Sequence, residues 1–529
     1  MSFSPRLSLV LGAYRICQGD YFGAYQDGCR VLGVANSALE PRILLSEAFI
    51  NLRAFPEALN VLSGYEDHPT AKPWFEVAEK CYNEYRTGSY NIPEMLLEAQ
   101  QSDRLTHGDF VSEDVKIDFG RDGLRGLFAS RDIPAGTLII AEKAIFSVFP
   151  DDAVDFETEF EPIKMETDSP MVHKLVAKAV DVMRKRNMGG RITGLYSAMR
   201  EELYKILGRQ DEFSSEMASL RWDFRDQQPD EQHLDTWRVV ENVIRLNEYN
   251  IEHLYLPPPL QDLRNPNEQN YNASGPQCGH GLFYTTSFLN HSCIPNCSRF
   301  FIGDFIFVVT SVYVPATTEL TMPYWAGLDS LARRDGKAKE YRFRCTCPLC
   351  EHQRLEHQKL KTADLFMDKL EEEGRVEDVR VEAMLKSLKK VFGFEWRKND
   401  GLTCPPLMGA LGVRVSGNTS PLNIASYLTS THEMYNMLME TLSQEGQIVT
   451  AGVYSSEFAL ICSEAQPIVC PTALVEWMIE VWEMFVRGGV RRAIADTWLR
   501  EAKVLFKSLY LQAWEILVGS LVKRYYGQA

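Results

Sequence analysis

Apolar and polar positions divide the chain into three regimes. Helical spacing runs through residues 1–100, short apolar strands begin near 109 around a helical stretch, and helical spacing returns from about 355. The first regime is weakly repetitive. Gly19-Asp20-Tyr21 with Ala24 recurs as Arg53-Ala54-Phe55 with Ala58, an offset of 34, and as Gly88-Ser89-Tyr90, an offset of 35. Leu11 and Leu45 keep the same 34-residue step. A step of that length is expected of stacked helix pairs, with the small Ala letting helices approach and the aromatic filling the gap between them. Pro93 interrupts the third unit, leaving about two and a half repeats.

In the second regime, Leu127–Ile133 leads into the turn Pro134-Ala135-Gly136, and Leu138-Ile139-Ile140-Ala141 reads as a buried strand. Val172, Leu175, Val176, Ala179 and Met183 then keep the 3–4 spacing of an amphipathic helix, as do Trp237, Val240, Val243, Ile244 and Asn247. Pro257-Pro258-Pro259 and the polar run to Pro276 read as a loop. Strands return at Phe300–Ile302 and Phe305–Thr310 with Gly303-Asp304 as a tight hairpin, and Val312–Thr317 echoes Asp132–Thr137. Near the end, Leu499, Ala502, Phe506, Leu509, Ala513 and Ile516 form one apolar stripe with Asp496 or Thr497 as N-cap. Pro471 opens the preceding helix, and Gly401–Pro421 reads as a loop.

Composition adds limits. A hydrophobic share of 45% and a charged share of 24% are ordinary for a soluble protein, and no apolar run is long enough to span a bilayer. Met1-Ser2-Phe3-Ser4-Pro5 has none of the layout of a secretory signal, and Arg184-Lys185-Arg186 is too short for a nuclear-import cluster. The expected location is the nucleus, the cytoplasm or both, with no secretion and no membrane. A net charge of −16 argues against direct nucleic-acid binding and suits a partner rich in Lys and Arg.

The twelve cysteines are scattered except around 293–297 and 345–350, and clustering of this kind favours metal over disulfides. Cys345-x-Cys347-x2-Cys350 places three thiolates where one tetrahedral ion can take them, with Zn²⁺ the default for soft sulfur. Cys293, Cys297 and His352 are candidates for the fourth position. If Cys293 takes it, the metal ties the later segment to Asn290-His291-Ser292-Cys293-Ile294-Pro295-Asn296 and closes a pocket between them. The density of hydrogen-bonding groups in that stretch fits a loop that binds a polar ligand.

Four motifs in sequence order resemble the SET-domain lysine methyltransferases. Arg125-Gly126-Leu127-Phe128-Ala129 resembles the family's opening strand, and Asn290-His291-Ser292-Cys293-x-Pro295-Asn296 its signature. Glu319-Leu320-Thr321-x-x-Tyr324 is similar to its terminal motif, and Phe343-x-Cys345-x-Cys347-x2-Cys350 to its post-SET segment. Together they cover 109–352. The long insertion, with Asn247-x-Tyr249-x-Ile251, and the helical tail resemble the SET-and-MYND branch, but residues 151–277 contain no Cys and hence no MYND finger. The front end resembles tetratricopeptide repeats, as in the repeat-plus-SET proteins common in fungi. The expected fold class is α+β. A knotted, β-rich SET domain at 109–327 carries a helical insertion at 151–277, and a zinc-binding post-SET segment follows at 328–354. All-α tetratricopeptide-like repeats at 1–100 and a helical domain at 355–529 flank them.

The resemblance implies S-adenosylmethionine as methyl donor and a neutral lysine amine as acceptor in an in-line SN2 transfer. It implies that main-chain groups of Asn290 and His291, the Asn247 amide, Arg125, Gly126 and the ring of Phe343 bind the cofactor. Tyr324 becomes the catalytic residue, Tyr249 and Tyr341 the channel walls, and Cys293, Cys345, Cys347 and Cys350 the zinc ligands. The implied partner is a lysine-bearing protein, with histones as the candidate class, and the repeats recruit further proteins. Leu124 replaces the first glycine of the family's Gly-x-Gly, Pro323 precedes Tyr324 where Ser is common, and Thr317-Thr318 replaces Gly-Glu. These departures favour the alternative, a SET-fold interaction scaffold with little activity.

Overall fold

The computed structural model describes residues 5–17, 21–34, 38–120, 125–150, 152, 171–172, 174–179, 243–251, 279–325, 328–373, 378–393, 420–465, 471–511, 514 and 518. The expectations for Gly19, Asp20, Leu124, Met183, Trp237, Val240, the prolines at 257–259 and 276, residues 401–419, Ala513 and Ile516 lie outside them.

Six helices occupy the front: α1 (Pro5–Cys17), α2 (Tyr21–Val34), α3 (Leu39–Asn51), α4 (Phe55–Val61), α5 (Lys72–Thr87) and α6 (Ile92–Ala99). The starts of α3 and α4 follow those of α1 and α2 by the 34-residue step of the sequence. Ala24, Ala58 and Phe55 are buried, as small and aromatic fillers between paired helices must be. Leu11 and Leu45, which share the step, differ in burial: Leu11 is 42% exposed while Leu45 is buried. Pro93 opens α6 rather than breaking it, since a first-turn residue has no intrahelical use for its N–H. Arg53, held at φ 62°, reaches out of the α3–α4 turn to the strands that follow. Its guanidinium pairs with Asp109 and donates to the carbonyls of Lys143 (3.0 Å) and Ala144 (3.1 Å). His107, buried between Glu84 and Glu98 at 2.8 Å from each, adds a second tie.

Eleven strands follow among the described residues: β1 (Phe110–Val111), β2 (Val115–Phe119), β3 (Arg125–Ala129), β4 (Leu138–Lys143), β5 (Phe146–Val148), β6 (Glu248–Ile251), β7 (Gly279–Leu282), β8 (Asn290–His291), β9 (Cys297–Ile302), β10 (Phe305–Thr310) and β11 (Glu319–Met322). They form three sheets, ordered β1-β4-β10-β9, β2-β3-β11-β8 and β5-β7-β6. The hairpin from β9 to β10 turns on Gly303-Asp304, with Gly303 at φ 54° and Phe305 opposite Ile302. The two echoing turns pair with each other, Ile133 and Val314 exchanging N–H···O bonds of 2.8 Å.

Every residue of β10 is buried. Its alternation sends Phe305, Phe307 and Val309 into one core and Ile306 and Val308 into another. The first core joins the sheet to α6 and to the C-terminal helices; the second lies between this sheet and β3 and β11. Helical residues 171–172, 174–179 and 243–247 pack on the third sheet through Val172, Leu175, Val176, Val243 and Ile244.

The C-terminal part is helical: α7 (Leu331–Glu340), α8 (Pro348–Leu355), α9 (His357–Glu373), α10 (Asp378–Val391), α11 (Pro421–Gln444), α12 (Ile448–Glu464), α13 (Pro471–Arg487) and α14 (Arg492–Tyr510). Pro471 opens α13 as expected, whereas Pro421 begins α11 instead of closing a loop, with Ser420 as its N-cap. The expected cap at Asp496 or Thr497 is also corrected, for α14 starts at Arg492, and Asp496 instead accepts the Trp482 indole N–H at 3.2 Å. No described helix is long and apolar enough to cross a membrane.

Candidate active site and metal centre

The site is built where β8 runs parallel to β11, pairing Asn290 with Thr321 and His291 with Met322. The Asn290 amide donates to the Arg125 carbonyl at 3.0 Å and to Glu319 Oε1 at 2.7 Å, so one side chain joins β8, β3 and β11. Gly126 makes room for this: a Cβ there would lie 2.5 Å from Glu319 Oε1 and 3.0 Å from Asn290 Nδ2. Asn296 fixes the far end of the loop, donating to the Glu319 carbonyl and accepting the Thr321 N–H, each at 2.8 Å.

Beyond β11 the chain turns through Pro323, Tyr324 and Trp325. The Tyr324 N–H donates to His291 Nδ1 at 3.0 Å, and its hydroxyl donates to the Leu289 carbonyl at 2.9 Å. At Pro323, Arg299 holds the carbonyl while His291 holds the next N–H. The Arg299 guanidinium also lies over the Tyr249 ring, 5.4 Å from its centroid. Tyr249 donates its hydroxyl to Thr286 at 3.2 Å. The turn offering those two carbonyls, residues 284–289, is held by the buried Glu142 carboxylate, which accepts the N–H groups of Tyr284, Thr285 and Thr286 at 2.9–3.1 Å.

Aromatic rings close the surroundings. Tyr341 is 5.5 Å from Tyr324, Trp325 lies over His291 at 3.9 Å, and Phe343 stacks on Trp325 at 6.0 Å. Burial pushes the Tyr324 phenol above its ordinary value, Tyr249, Tyr341 and Glu319 add to this, and Arg299 opposes it. Tyr249 is raised by burial too, so both phenols stay protonated at neutral pH.

The sulfurs of Cys293, Cys345, Cys347 and Cys350 all lie within 4.8 Å of one another and all four residues are buried. Cys293 Sγ is 3.8 Å from Cys345 Sγ and 3.6 Å from Cys350 Sγ. Four sulfurs about 2.3 Å from a tetrahedral Zn²⁺ stand roughly 3.8 Å apart, so the donor set fits that ion. The fourth position thus falls to Cys293. Cys297 is buried outside the cluster, and His352 Nε2 is 2.8 Å from Asn423 Oδ1. Two N–H groups reach the sulfurs: Arg334 Nη1 lies 3.1 Å from Cys350 Sγ, and His291 Nε2 3.2 Å from Cys293 Sγ.

Residues 124–325 match the family model for the SET domain. This chain carries a SET domain. It is 22% identical over 363 residues to a "Methyltransferase" of Gibberella zeae, covering 66% of this chain and 47% of that protein. It is 37% identical over 86 residues to "Histone-lysine N-methyltransferase SMYD3" of Mus musculus, covering 16% of this chain and 19% of that one. Over 87 residues it is 33% identical to a "SET and MYND domain-containing protein" of Dictyostelium discoideum, covering 16% and 25%. Over these segments the chain is similar to proteins of the SET-and-MYND type, and it spans less than half the length of the curated relatives it matches.

Within the SET domain and the segment that follows, Asn290, His291, Tyr324, Phe343, Tyr341 and Tyr249 come together, and Arg125 and Gly126 join them through Asn290. The Arg125 guanidinium lies over Phe288 at 5.4 Å. Asn247 is buried, and one N–H of its amide lies on the Val243 carbonyl at 2.8 Å. Among the described residues the buried Trp325 Nε1–H has no hydrogen-bond partner, and an orphaned donor beside stacked rings fits a polar aromatic ligand. Glu319, Asn296, Arg299, Trp325 and Arg334 were missed as site residues. The terminal motif and the signature contain Glu319 and Asn296, but spacing gives no sign of Arg299 or Arg334.

Proposed function

We propose that this chain is an S-adenosylmethionine-dependent protein-lysine N-methyltransferase. The observation that carries the reading is the double hold on Tyr324, amide on His291 and hydroxyl on the Leu289 carbonyl, inside a shell of aromatic rings. Main-chain groups of Asn290 and His291, the Asn247 amide, the Trp325 indole N–H and the Phe343 ring would hold the cofactor, with Arg125 and Gly126 behind them. When bound, S-adenosylmethionine supplies a methyl group on a sulfonium for in-line SN2 transfer to a neutral lysine amine. A lysine amine has an ordinary pKa of about 10.4, and a dry channel walled by Tyr249 and Tyr341 lowers it. The phenols keep their protons there, so no fixed negative charge holds the amine as ammonium. Fixing the acceptor beside Tyr324 removes entropy from the barrier.

Cys293, Cys345, Cys347 and Cys350 would hold one structural Zn²⁺ that docks the post-SET segment against the signature. The net charge of −16 suits a lysine-rich substrate, with histones the first class to test. The front helices, with the spacing of tetratricopeptide pairs, would recruit protein partners in the nucleus or cytoplasm.

The test is transfer of labelled methyl from S-adenosylmethionine to core histones and to a lysate, wild type beside Tyr324→Phe, with calorimetry of S-adenosylhomocysteine. Label on lysine that falls by about a hundredfold or more in the variant supports the enzyme. Absence of both label and binding sinks it in favour of a SET-fold scaffold.

A further inference from the structure

The His291 imidazole touches two parts of the site. Its Nδ1 takes the Tyr324 N–H at 3.0 Å, and its Nε2 lies 3.2 Å from Cys293 Sγ. A backbone amide can only donate. Nδ1 therefore carries no proton, and the neutral ring holds its proton on Nε2, facing the sulfur. A metal-bound thiolate is a strong acceptor for that proton, and a free thiol is a weak one.

We propose that His291 is a positioning residue through which metal bound at Cys293, Cys345, Cys347 and Cys350 fixes the place of Tyr324. Metal at the four sulfurs makes Cys293 the acceptor that orients the ring, and the oriented ring presents Nδ1 to the Tyr324 amide. Trp325, 3.9 Å from the imidazole centroid, limits the ring's other orientations. Pro323 has no N–H, so the Tyr324 amide is the first donor of the turn, and Arg299 holds only the carbonyl before it. Arg334 supplies the contrast. It is buried, reaches Cys350 Sγ at 3.1 Å, lies close to Cys293, donates to the Asp329 carbonyl at 3.0 Å and pairs with Gln353, and among the described residues none of these partners hydrogen-bonds Tyr324. It supports the metal centre without reaching the turn.

The importance of this coupling for catalysis rests on the proposed methyltransferase reading, but its test needs no cofactor. Hydrogen exchange by mass spectrometry is followed at the Tyr324 amide in the full chain, loaded with Zn²⁺ and after chelation. Absorption of the Co²⁺-substituted protein reports loading in each variant. In wild type, chelation speeds exchange about five- to tenfold, the range for losing one hydrogen bond. His291→Phe exchanges fast even when loaded, and chelation adds less than about twofold. His291→Asn keeps an acceptor near the Nδ1 position but cannot reach Cys293, so Tyr324 stays protected with or without metal. Arg334→Met gives up metal more readily yet protects Tyr324 like wild type while loaded. A wild-type protein indifferent to chelation overturns the proposal. So does a loaded His291→Phe or His291→Asn with the full wild-type response, which would mean that the metal acts through the fold of the segment. Failure of the loaded wild type to bind S-adenosylhomocysteine sinks the methyltransferase reading and leaves the exchange result standing.

Discussion

Replacing Gly126 with alanine tests the geometry of the site at one atom. Gly126 has no positive φ, so backbone preference does not bar a side chain. Space does: the new Cβ would stand 2.5 Å from Glu319 Oε1, 3.0 Å from Asn290 Nδ2 and 3.2 Å from the Phe128 ring. Of the three, the Glu319 carboxylate is the end of a flexible chain and gives way. Its departure breaks the 2.7 Å charge-assisted bond to Asn290, worth about 1.5–3 kcal/mol. At about 1.4 kcal/mol per decade, local opening of β8 from β11 should become roughly tenfold to a hundredfold more frequent. Hydrogen exchange across Asn290–Cys297 and Glu319–Met322 measures it. A double-mutant cycle assigns the cause, since in a Glu319→Ala background Gly126→Ala should cost under about 0.5 kcal/mol. Fully additive costs, or a Gly126→Ala protein that exchanges like wild type, would refute the close approach of these groups.

Trp325→Phe keeps the stacked ring and deletes the orphaned N–H; binding of S-adenosylhomocysteine by calorimetry should weaken about five- to tenfold, and unchanged affinity rules the indole out as a donor. Cys350→Ser should lower zinc, measured by elemental analysis, from about one ion per chain towards none, and retention of zinc would exclude the four-sulfur centre. Burial, then the like charges of Glu483 and Glu476, pushes the Glu480 carboxyl up to about 7. Its folded value exceeds the ordinary 4.3 or so, so its stability contribution is whole below that value and is lost as pH rises through about 7. Glu480→Gln should therefore raise the melting temperature at pH 8 and leave it nearly unchanged at pH 4, with an upper bound of about 4 kcal/mol; a lower melting point at pH 8 contradicts this. Arg53→Met removes the pairing to Asp109 and two carbonyl contacts, about 1.5–3 kcal/mol together, and should speed proteolysis between α6 and β1; an unchanged cleavage rate denies Arg53 that docking role.

Sequence reading succeeds here where function is compressed into neighbours. Asn290–Asn296 and Cys345–Cys350 are short contiguous runs whose residue types state their chemistry, and the apolar run Phe305–Val309 announces a strand covered on both faces. It falls short where the deciding contact crosses the chain. The Asn290 amide meets the Arg125 carbonyl 165 residues away only because β8 pairs parallel with β11, and no local pattern encodes that pairing. Arg334 sits in a strongly polar helix and looks solvated, yet tertiary packing buries it against sulfur. Asp496 has the right side chain for an N-cap but is already engaged by Trp482 across the helix pair. Leu11 keeps the repeat step and still faces solvent, since periodicity records a helix face and not whether a neighbour covers it.

The alternation along β10 has a consequence for how the chain can be divided. Phe305, Phe307 and Val309, with Phe300 and Ile302 beside them, are roofed by α6 and the C-terminal helices rather than by any strand. Phe300 meets Tyr510, near the end of the last helix, at 5.7 Å. A fragment trimmed to the SET-matching residues would bare this face, forfeiting about 1.5–3 kcal/mol for each large side chain and offering a sticky apolar surface. The two helical ends are therefore halves of one lid on a shared sheet. Any relative that keeps only the middle must have found another cover for the same five side chains.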